Sequence, residues 1–214
     1  MKPSHRFYKV CFYLSRAILG ALFWFDVKGR ENIPDGAAMV CSNHSNLIDP
    51  LFIAYAFGVG HFLHFIAKIE LFRVPVLSAV IKKLGAIRVD RDISDLATIK
   101  TSLNYLKNGE KVAIFPEGTR TVETDYASIK NGAIKMAERA GVPIVPVFVP
   151  RKKLIFRRMP IVIGEPYTIE KQDAKRTPDD YLRLAENLMR RIEALTPVPG
   201  SAPLRKPKAN SRAH

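Results

Sequence analysis

Cysteine is scarce in this chain of 214 residues, which contains only Cys11 and Cys41. This pair shows no metal-binding spacing, and it provides no framework of disulfides of the kind that stabilises small exported domains. We therefore expect both thiols to be free and reduced. Zinc-finger spacings and aromatic RNA-binding motifs are also missing, which argues against a nucleic-acid-binding protein.

Long hydrophobic runs are missing as well. The most apolar stretch, residues 10–25, is interrupted by Arg16 and is shorter than the roughly 20 residues of a spanning helix. A signal peptide is the alternative, but no small-residue cleavage site follows the stretch. On a helix, one face carries a largely basic stripe and the remaining surface is mostly apolar; the stripe comprises Lys2, Arg6, Lys9, Tyr13, Arg16 and Gly20. We predict that residues 1–26 form an amphipathic helix in a membrane interface. A helix packed on the domain's own core is the alternative.

Acidic residues are few, 20 against 34 lysines and arginines, so the net charge is +14. Such an excess implies an anionic partner: membrane lipid, nucleic acid or a phosphorylated substrate. One group of basic residues lies in residues 151–158, and another lies in the last residues of the chain. Residues 197–214 are rich in proline and basic residues and poor in apolar ones, which predicts a disordered basic tail.

Apolar strand patterns and helix patterns alternate through residues 27–196, which predicts one domain of the α/β class. Its architecture would be a mainly parallel central sheet flanked by helices. In such a sheet the carboxyl ends of successive strands lie at one edge, where α/β proteins bind ligands. The stretch 142–149 is extended but contains prolines, which favours an edge strand or the wall of a pocket.

One candidate site follows the buried strand that ends near Val40. His44 and Asp49 lie in the turn between this strand and a helix that opens at Pro50. A histidine beside a carboxylate is a common general base, because the carboxylate fixes the tautomer and stabilises the imidazolium. The pairing requires His44 to precede the helix, since five helical positions rotate the side chains apart by about 140°. A surface histidine and a helix-capping aspartate are the alternative.

A second candidate follows the strand at residues 111–115, in the sequence Pro116-Glu117-Gly118-Thr119-Arg120. Gly118 allows a tight turn or a close approach to a ligand. The planar guanidinium of Arg120 matches phosphate oxygens. One turn thus offers a base and the other an anion-binding group.

These two stretches, in this order and at this separation, resemble the glycerolipid acyltransferase family, most closely the lysophosphatidate (1-acylglycerol-3-phosphate) acyltransferases. Residues 85–91 look like the second motif of that family, with Arg91 as its arginine. Residues 67–72 look like its lysine segment, with Lys68. Arg88 departs from the family pattern, which leaves open whether Arg88 or Arg91 faces the phosphate. The fourth, apolar motif is similar to Val142, Pro143, Ile144, Val145 and Pro146, which are candidates for an acyl pocket.

The resemblance implies acyl transfer from acyl-CoA or acyl-acyl carrier protein to the free hydroxyl of lysophosphatidate, giving phosphatidic acid. His44 would act as base with Asp49, and the phosphate would be bound by Arg120, Lys68 and Arg91. Glu117, Gly118 and Thr119 would organise the acceptor site. No metal or cofactor is implied, and a thiol nucleophile at Cys41 is not needed. The enzyme would be peripheral or monotopic at the cytoplasmic face of the cell membrane. Alternatives are a relative that uses another acceptor, such as glycerol-3-phosphate or another lysophospholipid, and a noncatalytic lipid-binding relative.

Overall fold

A computed structural model describes residues 3–90, 96–121, 123–170, 172 and 174–197. Within these ranges the chain forms six α-helices and seven strands, and short 3₁₀ turns occur at Arg30–Asn32, Ile69–Arg73 and Tyr126–Ser128. The order is α1 (His5–Leu22), β1 (Trp24–Lys28), β2 (Ala38–Ser42), α2 (Asp49–Phe57), β3 (Leu63–Lys68), α3 (Pro75–Lys83), β4 (Ile87–Val89), α4 (Leu96–Lys107), β5 (Lys111–Ile114), α5 (Gly132–Ala140), β6 (Ile144–Phe148), β7 (Arg158–Ile163) and α6 (Pro178–Ala194).

The strands form one sheet in the order β1-β7-β6-β2-β5-β3-β4. Strands β2 to β6 run parallel to one another, whereas β7 is antiparallel to β6 and pairs in parallel with β1. The predicted α/β class with a mainly parallel sheet is therefore confirmed. Because β2 to β6 share one direction, their carboxyl ends meet at the same edge of the sheet.

Each face of the sheet is covered by its own apolar cluster. Successive side chains of a strand point to opposite faces, so in β2 Val40 packs with α1 and α2 while Met39 packs with α5 and α6. The layer that contains α5 and α6 is completed by α6, whose N-terminus is capped by reciprocal hydrogen bonds between Thr177 and Asp180. The chain thus builds helix layers on both faces of the sheet and leaves its carboxyl edge to the connecting turns.

The N-terminal helix is shorter than predicted. Helix α1 ends at Leu22, and Trp24–Lys28 is the edge strand β1, so the predicted boundary between residues 26 and 27 falls inside a strand. Aromatic residues favour strands, and β7 provides an open edge on which the Trp24 N–H donates to the Arg157 carbonyl at 3.1 Å. The run of aromatic residues 23–25 is therefore better explained by a strand that begins at Trp24 than by the end of the helix.

Helix α1 packs on the domain with one face, as the second alternative expects, and its contact with a membrane stays a prediction. Tyr8, Phe12 and Leu19 are buried, so one face of the helix packs on the domain. The basic stripe is partly engaged as well, since the Arg16 guanidinium lies over the Tyr55 ring of α2 at 4.9 Å. A ridge of apolar side chains nevertheless remains exposed at four-residue spacing, comprising Val10 (65%), Leu14 (62%) and Ile18 (53%).

The expectation of an edge strand at residues 142–149 is wrong, because β6 lies inside the sheet between β2 and β7. Pro146 is tolerated there for a local reason. Its carbonyl accepts from Gly164 N at 2.8 Å, just beyond the end of β7. The N–H and C=O of one strand residue point to the same side, so the missing donor faces the end of the short β6–β7 ladder and not β2.

The predicted features at Arg91 and in the tail beyond residue 197 lie outside the described residues.

Candidate active site

The turn between β2 and α2 brings His44 and Asp49 together. Strand β2 ends at Ser42 and α2 begins at Asp49, so His44 precedes the helix as the pairing requires. The His44 Nδ1 atom lies 3.0 Å from the Asp49 Oδ2 atom. The surface-histidine alternative does not fit this geometry, since Asp49 is fully buried and only 12% of the His44 side chain is exposed.

Asp49 is held by a dense set of donors. Its Oδ2 atom accepts from the backbone N–H groups of Ser45 and Asn46, each at 2.7 Å, while its Oδ1 atom contacts the Lys153 ammonium. Burial by itself raises the pKa of the Asp49 carboxyl, but hydrogen bonds from His44 and Lys153, the lysine charge and the Asn46 N–H outweigh it, and the pKa is lowered. The carboxylate therefore stays ionised and accepts a hydrogen bond from the Nδ1–H group, which leaves Nε2 as the basic nitrogen.

The imidazole plane is fixed by Phe115, at the end of the neighbouring strand β5. The two rings stack with centroids 4.0 Å apart and planes inclined by 17°. An imidazole held on one side by a carboxylate and on one face by an aromatic ring loses little orientational freedom when substrate binds.

Glu117 is buried beside the histidine turn and links the two motifs. Its Oε2 atom accepts from the His44 backbone N–H at 2.5 Å, and its Oε1 atom accepts from the Thr121 hydroxyl at 3.0 Å. The Thr121 N–H in turn donates to the His44 carbonyl at 2.9 Å. Gly118 makes the tight turn with a positive φ of 70°. Glu117 thus holds the backbone of the histidine turn. The role of Glu117, Gly118 and Thr119 in organising the acceptor site stays a prediction.

Two cations of the β6–β7 loop complete the site, and sequence reasoning missed their roles. Arg151 contacts Glu117 Oε1 and donates to the Thr121 carbonyl at 3.0 Å. Lys153 contacts Asp49, and its Nζ atom donates to the Ser45 hydroxyl at 2.6 Å. In the sequence both residues were only part of a basic cluster. The signal that could have found them is topological, since β6 lies directly beside β2.

Asn43 joins the same two strand ends. Its side-chain amide donates to the Val149 carbonyl at 2.7 Å and accepts from the Val149 N–H at 2.9 Å. The amide thus replaces a backbone partner where the β2–β6 ladder stops, and both residues are buried. This reciprocal pair sets the position from which the β6–β7 loop starts.

The predicted phosphate-binding cations lie at the exits of the adjacent strands. Thr119 and Arg120 are exposed after β5, and Lys68 is exposed at the end of β3, where its Nζ atom lies 3.0 Å from Glu70 Oε1. Strand spacing places the exits of β2 and β3 about 10 Å apart, with β5 between them. Arg88 is exposed on β4, whereas Arg91 lies outside the described residues.

The acyl-pocket candidates lie in strand β6 and the residues before it. Val142 and Ile144 belong to the cluster under α5 and α6, and Val145 belongs to the cluster under α1 and α2. Their acyl-pocket role, and that of Pro143 and Pro146, stays a prediction.

Cys41 is fully buried in β2, and burial raises the pKa of its thiol, which argues against a cysteine nucleophile.

Comparison with known proteins identifies the family of this chain. Residues 25–150 match the model of the Acyltransferase family. The 1-acyl-sn-glycerol-3-phosphate acyltransferase of Bacillus subtilis is 33% identical over 88% of this chain and 96% of its own length. The enzyme of that name from Borreliella burgdorferi is 33% identical over 65% of this chain and 58% of its own length. The chain therefore belongs to the Acyltransferase family.

A solved structure shares the fold. The crystal structure of the 1-acyl-sn-glycerophosphate (LPA) acyltransferase PlsC from Thermotoga maritima superposes with a TM-score of 0.61 and 25% identity. The match covers 89% of this chain and 77% of that protein. Among the described residues, none of the helices combines the length and the apolar character that a membrane crossing requires.

We expect His44→Ala to lower acyl transfer by about 100- to 10,000-fold, the usual contribution of a general base. Asp49→Asn should lower it nearly as much, because the amide cannot stabilise the imidazolium. Thiol release by the purified variants measures the loss, and thermal unfolding checks that they fold. Near-normal turnover of a folded His44→Ala protein would contradict the assignment of the base.

The pH dependence of kcat/KM tests the electrostatic role of Lys153. Among the described residues, the charged side chains around His44 include Asp49, Lys153 on the other side of Asp49, and Glu117 with its partner Arg151. Lys153→Met removes the positive charge that lies on the other side of the Asp49 carboxylate from His44. The protonated form of His44 is then more favourable relative to the neutral form. The acid limb of the pH profile of kcat/KM should therefore move to higher pH by about one unit or more.

The matched control for this variant is Lys152→Met, at the exposed neighbouring position on the same loop. It should leave the acid limb in place. If Lys153→Met lowered the Tm but left the pH profile unchanged, Lys153 would be a structural residue only.

Proposed function

We propose that this protein is a lysophosphatidate acyltransferase, which transfers an acyl chain from a thioester to 1-acylglycerol-3-phosphate and forms phosphatidic acid. The observation that carries the proposal is the His44–Asp49 pair at 3.0 Å, on the strand edge where the Arg120 turn also lies. The names of the relatives in Bacillus, Borreliella and Thermotoga support the acceptor.

In the proposed reaction, the free hydroxyl of the acceptor lies beside His44 Nε2. The imidazole takes the hydroxyl proton as the oxygen attacks the thioester carbonyl, and Asp49 stabilises the imidazolium. Collapse of the tetrahedral intermediate expels the thiol, which leaves with the proton from His44. Both substrates react in one complex, so no covalent acyl-enzyme is needed. The donor is either acyl-CoA or acyl-acyl carrier protein, and no resident metal or cofactor takes part.

The acceptor phosphate would be bound by Arg120 and Lys68, with Arg91 as the third proposed cation. Two cations closer to His44 already have carboxylate partners, since Arg151 contacts Glu117 and Lys153 contacts Asp49. Arg120 and Lys68 are exposed. The ion pair of Lys68 with Glu70 is a surface pair, which costs little to exchange for a phosphate.

We also propose peripheral or monotopic association with the cytoplasmic face of the cell membrane. The exposed ridge of α1 (Val10, Leu14 and Ile18) would enter the lipid interface, and the basic charge of the chain would attract anionic headgroups. The opposite face of α1 stays on the core, so the helix would attach to the bilayer without leaving the domain.

The decisive experiment measures thiol release by the purified protein with acyl-CoA and with acyl-acyl carrier protein. Each donor is offered with lysophosphatidate, glycerol-3-phosphate and a lysophospholipid with a larger headgroup. The proposal expects the highest kcat/KM with lysophosphatidate. A preference for glycerol-3-phosphate or another lysophospholipid would support the alternative acceptor within the same family. Absence of transfer to every acceptor by the folded protein would favour a lipid-binding relative.

For the phosphate site, we expect Arg120→Ala to raise the KM for lysophosphatidate far more than the KM for the donor. Losing a charge-assisted hydrogen bond costs roughly 1.5–3 kcal/mol, or about 10- to 150-fold. Arg139→Ala, at an exposed position on α5, serves as the control for loss of one surface arginine. Equal weakening of both substrates by Arg120→Ala would assign this residue a structural role.

For the membrane ridge, we expect Leu14→Ser combined with Ile18→Ser to weaken binding to anionic vesicles about tenfold or more. Both side chains are exposed, so the Tm should hardly change. High salt should release the unaltered protein only in part, because salt screens the charges and leaves apolar insertion in place. Leu182→Ser on α6 is the control, and unchanged binding of the double variant would place the membrane contact elsewhere.

A further inference from the structure

The loop between β6 and β7 carries three consecutive apolar side chains that the domain does not cover. Leu154, Ile155 and Phe156 are exposed by 48%, 57% and 57%. Single exposed apolar residues are ordinary on protein surfaces. A run of three at the tip of a loop is different, because it presents a contiguous apolar patch to the surroundings.

Basic residues flank this tip on both sides, in the sequence Arg151-Lys152-Lys153-Leu154-Ile155-Phe156-Arg157-Arg158. Arg151 and Lys153 contact Glu117 and Asp49, respectively, and Arg158 Nη2 lies 2.6 Å from Asp26 Oδ2. Lys152 and Arg157 are exposed. An apolar tip between exposed cations complements a lipid surface with anionic headgroups, where the apolar side chains enter the acyl region and the cations stay among the phosphates.

Hydrogen bonds hold the loop on both sides of Leu154 and Ile155. At its start, the Arg151 carbonyl accepts from the Ser45 hydroxyl at 3.0 Å, next to the catalytic pair. At its end, the Phe156 N–H donates to the Leu22 carbonyl of α1 at 2.6 Å. Phe156 has a positive φ of 57°, a conformation that bulky residues avoid, which indicates that these contacts fix the loop.

The same loop therefore connects the active-site edge with the end of α1. The Trp24 N–H donates to the Arg157 carbonyl at 3.1 Å, so the exposed Trp24 (64%) lies at the end of this loop, and the exposed Leu47 (60%) lies close in sequence to His44. Tryptophan is suited to the boundary between water and lipid. Exposed apolar residues are thus present on α1, at the loop and in the His44 turn.

We infer that residues 154–156 form a second lipid-inserting element, which docks the carboxyl edge of the sheet, with His44, onto an anionic bilayer. The inference rests on the proposed function in one respect, since a lipid acceptor has to reach this edge from the bilayer. It goes beyond the α1 ridge, because α1 alone would attach the domain without specifying which edge faces the lipid. The loop tip sets that orientation.

The single tryptophan of the chain permits a direct test. In the full-length protein, Trp24→Phe removes the native fluorophore, and Ile155→Trp places one at the loop tip. Vesicles of phosphatidylethanolamine and phosphatidylglycerol, with and without brominated acyl chains, serve as the membrane. The tip fluorophore should show a blue-shifted emission on binding and should be quenched by the brominated lipid.

The matched control is Leu182→Trp in the same Trp24→Phe background. Leu182 is partly exposed on α6, which covers the opposite face of the sheet from α1, so its emission should change little. If the vesicle-bound protein showed no quenching at position 155, or as much at position 182, the inferred docking would be overturned. Failure to bind vesicles at all would overturn it too.

A second variant tests the energetic contribution of the tip. Ile155→Glu should lower the vesicle-bound fraction, with roughly a tenfold or greater loss of affinity, because a charge replaces one inserted aliphatic side chain. Leu182→Glu should not do so. Thiol release with the same proteins reports separately on acyl transfer, so an active enzyme without tip quenching rejects the docking alone. An inactive protein whose tip is still quenched rejects the activity alone.

Discussion

The buried carboxylate of Asp49 is the interaction on which the rest of the site depends. A fully buried charge is costly unless donors surround it. Here the donors come from two parts of the chain: the His44 side chain and the Ser45 and Asn46 backbone in the β2–α2 turn, and the Lys153 ammonium in the loop after β6. The charge that orients the His44 imidazole therefore also holds this turn and the β6–β7 loop together.

Most of the architecture was predictable, because hydrophobic patterns report burial along one segment at a time. Alternating strands and helices predicted the parallel sheet, and parallel order predicted that the exits after β2, β3 and β5 share one edge. The position of His44 before the helix followed from Pro50 and the end of the preceding apolar run. These inferences need only local periodicity and one topological rule.

The errors arose where pairing between distant segments decides the outcome. Trp24–Lys28 becomes a strand because β7 offers an edge, and nothing in residues 1–28 reveals that edge. Pro146 lies inside the sheet because its missing donor faces the end of a short ladder. Lys153 contacts Asp49, which lies more than a hundred positions away in the sequence, and Arg151 contacts Glu117, more than thirty positions away. A single sequence shows that these residues are charged, but it does not show which carboxylate each of them contacts.

The two cation–carboxylate pairs have an electrostatic consequence for the way a phosphorylated ligand is positioned. Arg151 with Glu117 and Lys153 with Asp49 form an inner layer with no net charge around the base. At the exits of the neighbouring strands, Lys68 after β3 is paired with Glu70 at the surface, and Arg120 after β5 is exposed. In the proposed function, the acceptor phosphate would bind at these exits, one strand spacing or more from His44. The 4.7–4.9 Å spacing of neighbouring strands would then set the distance between the phosphate of the acceptor and its reacting oxygen.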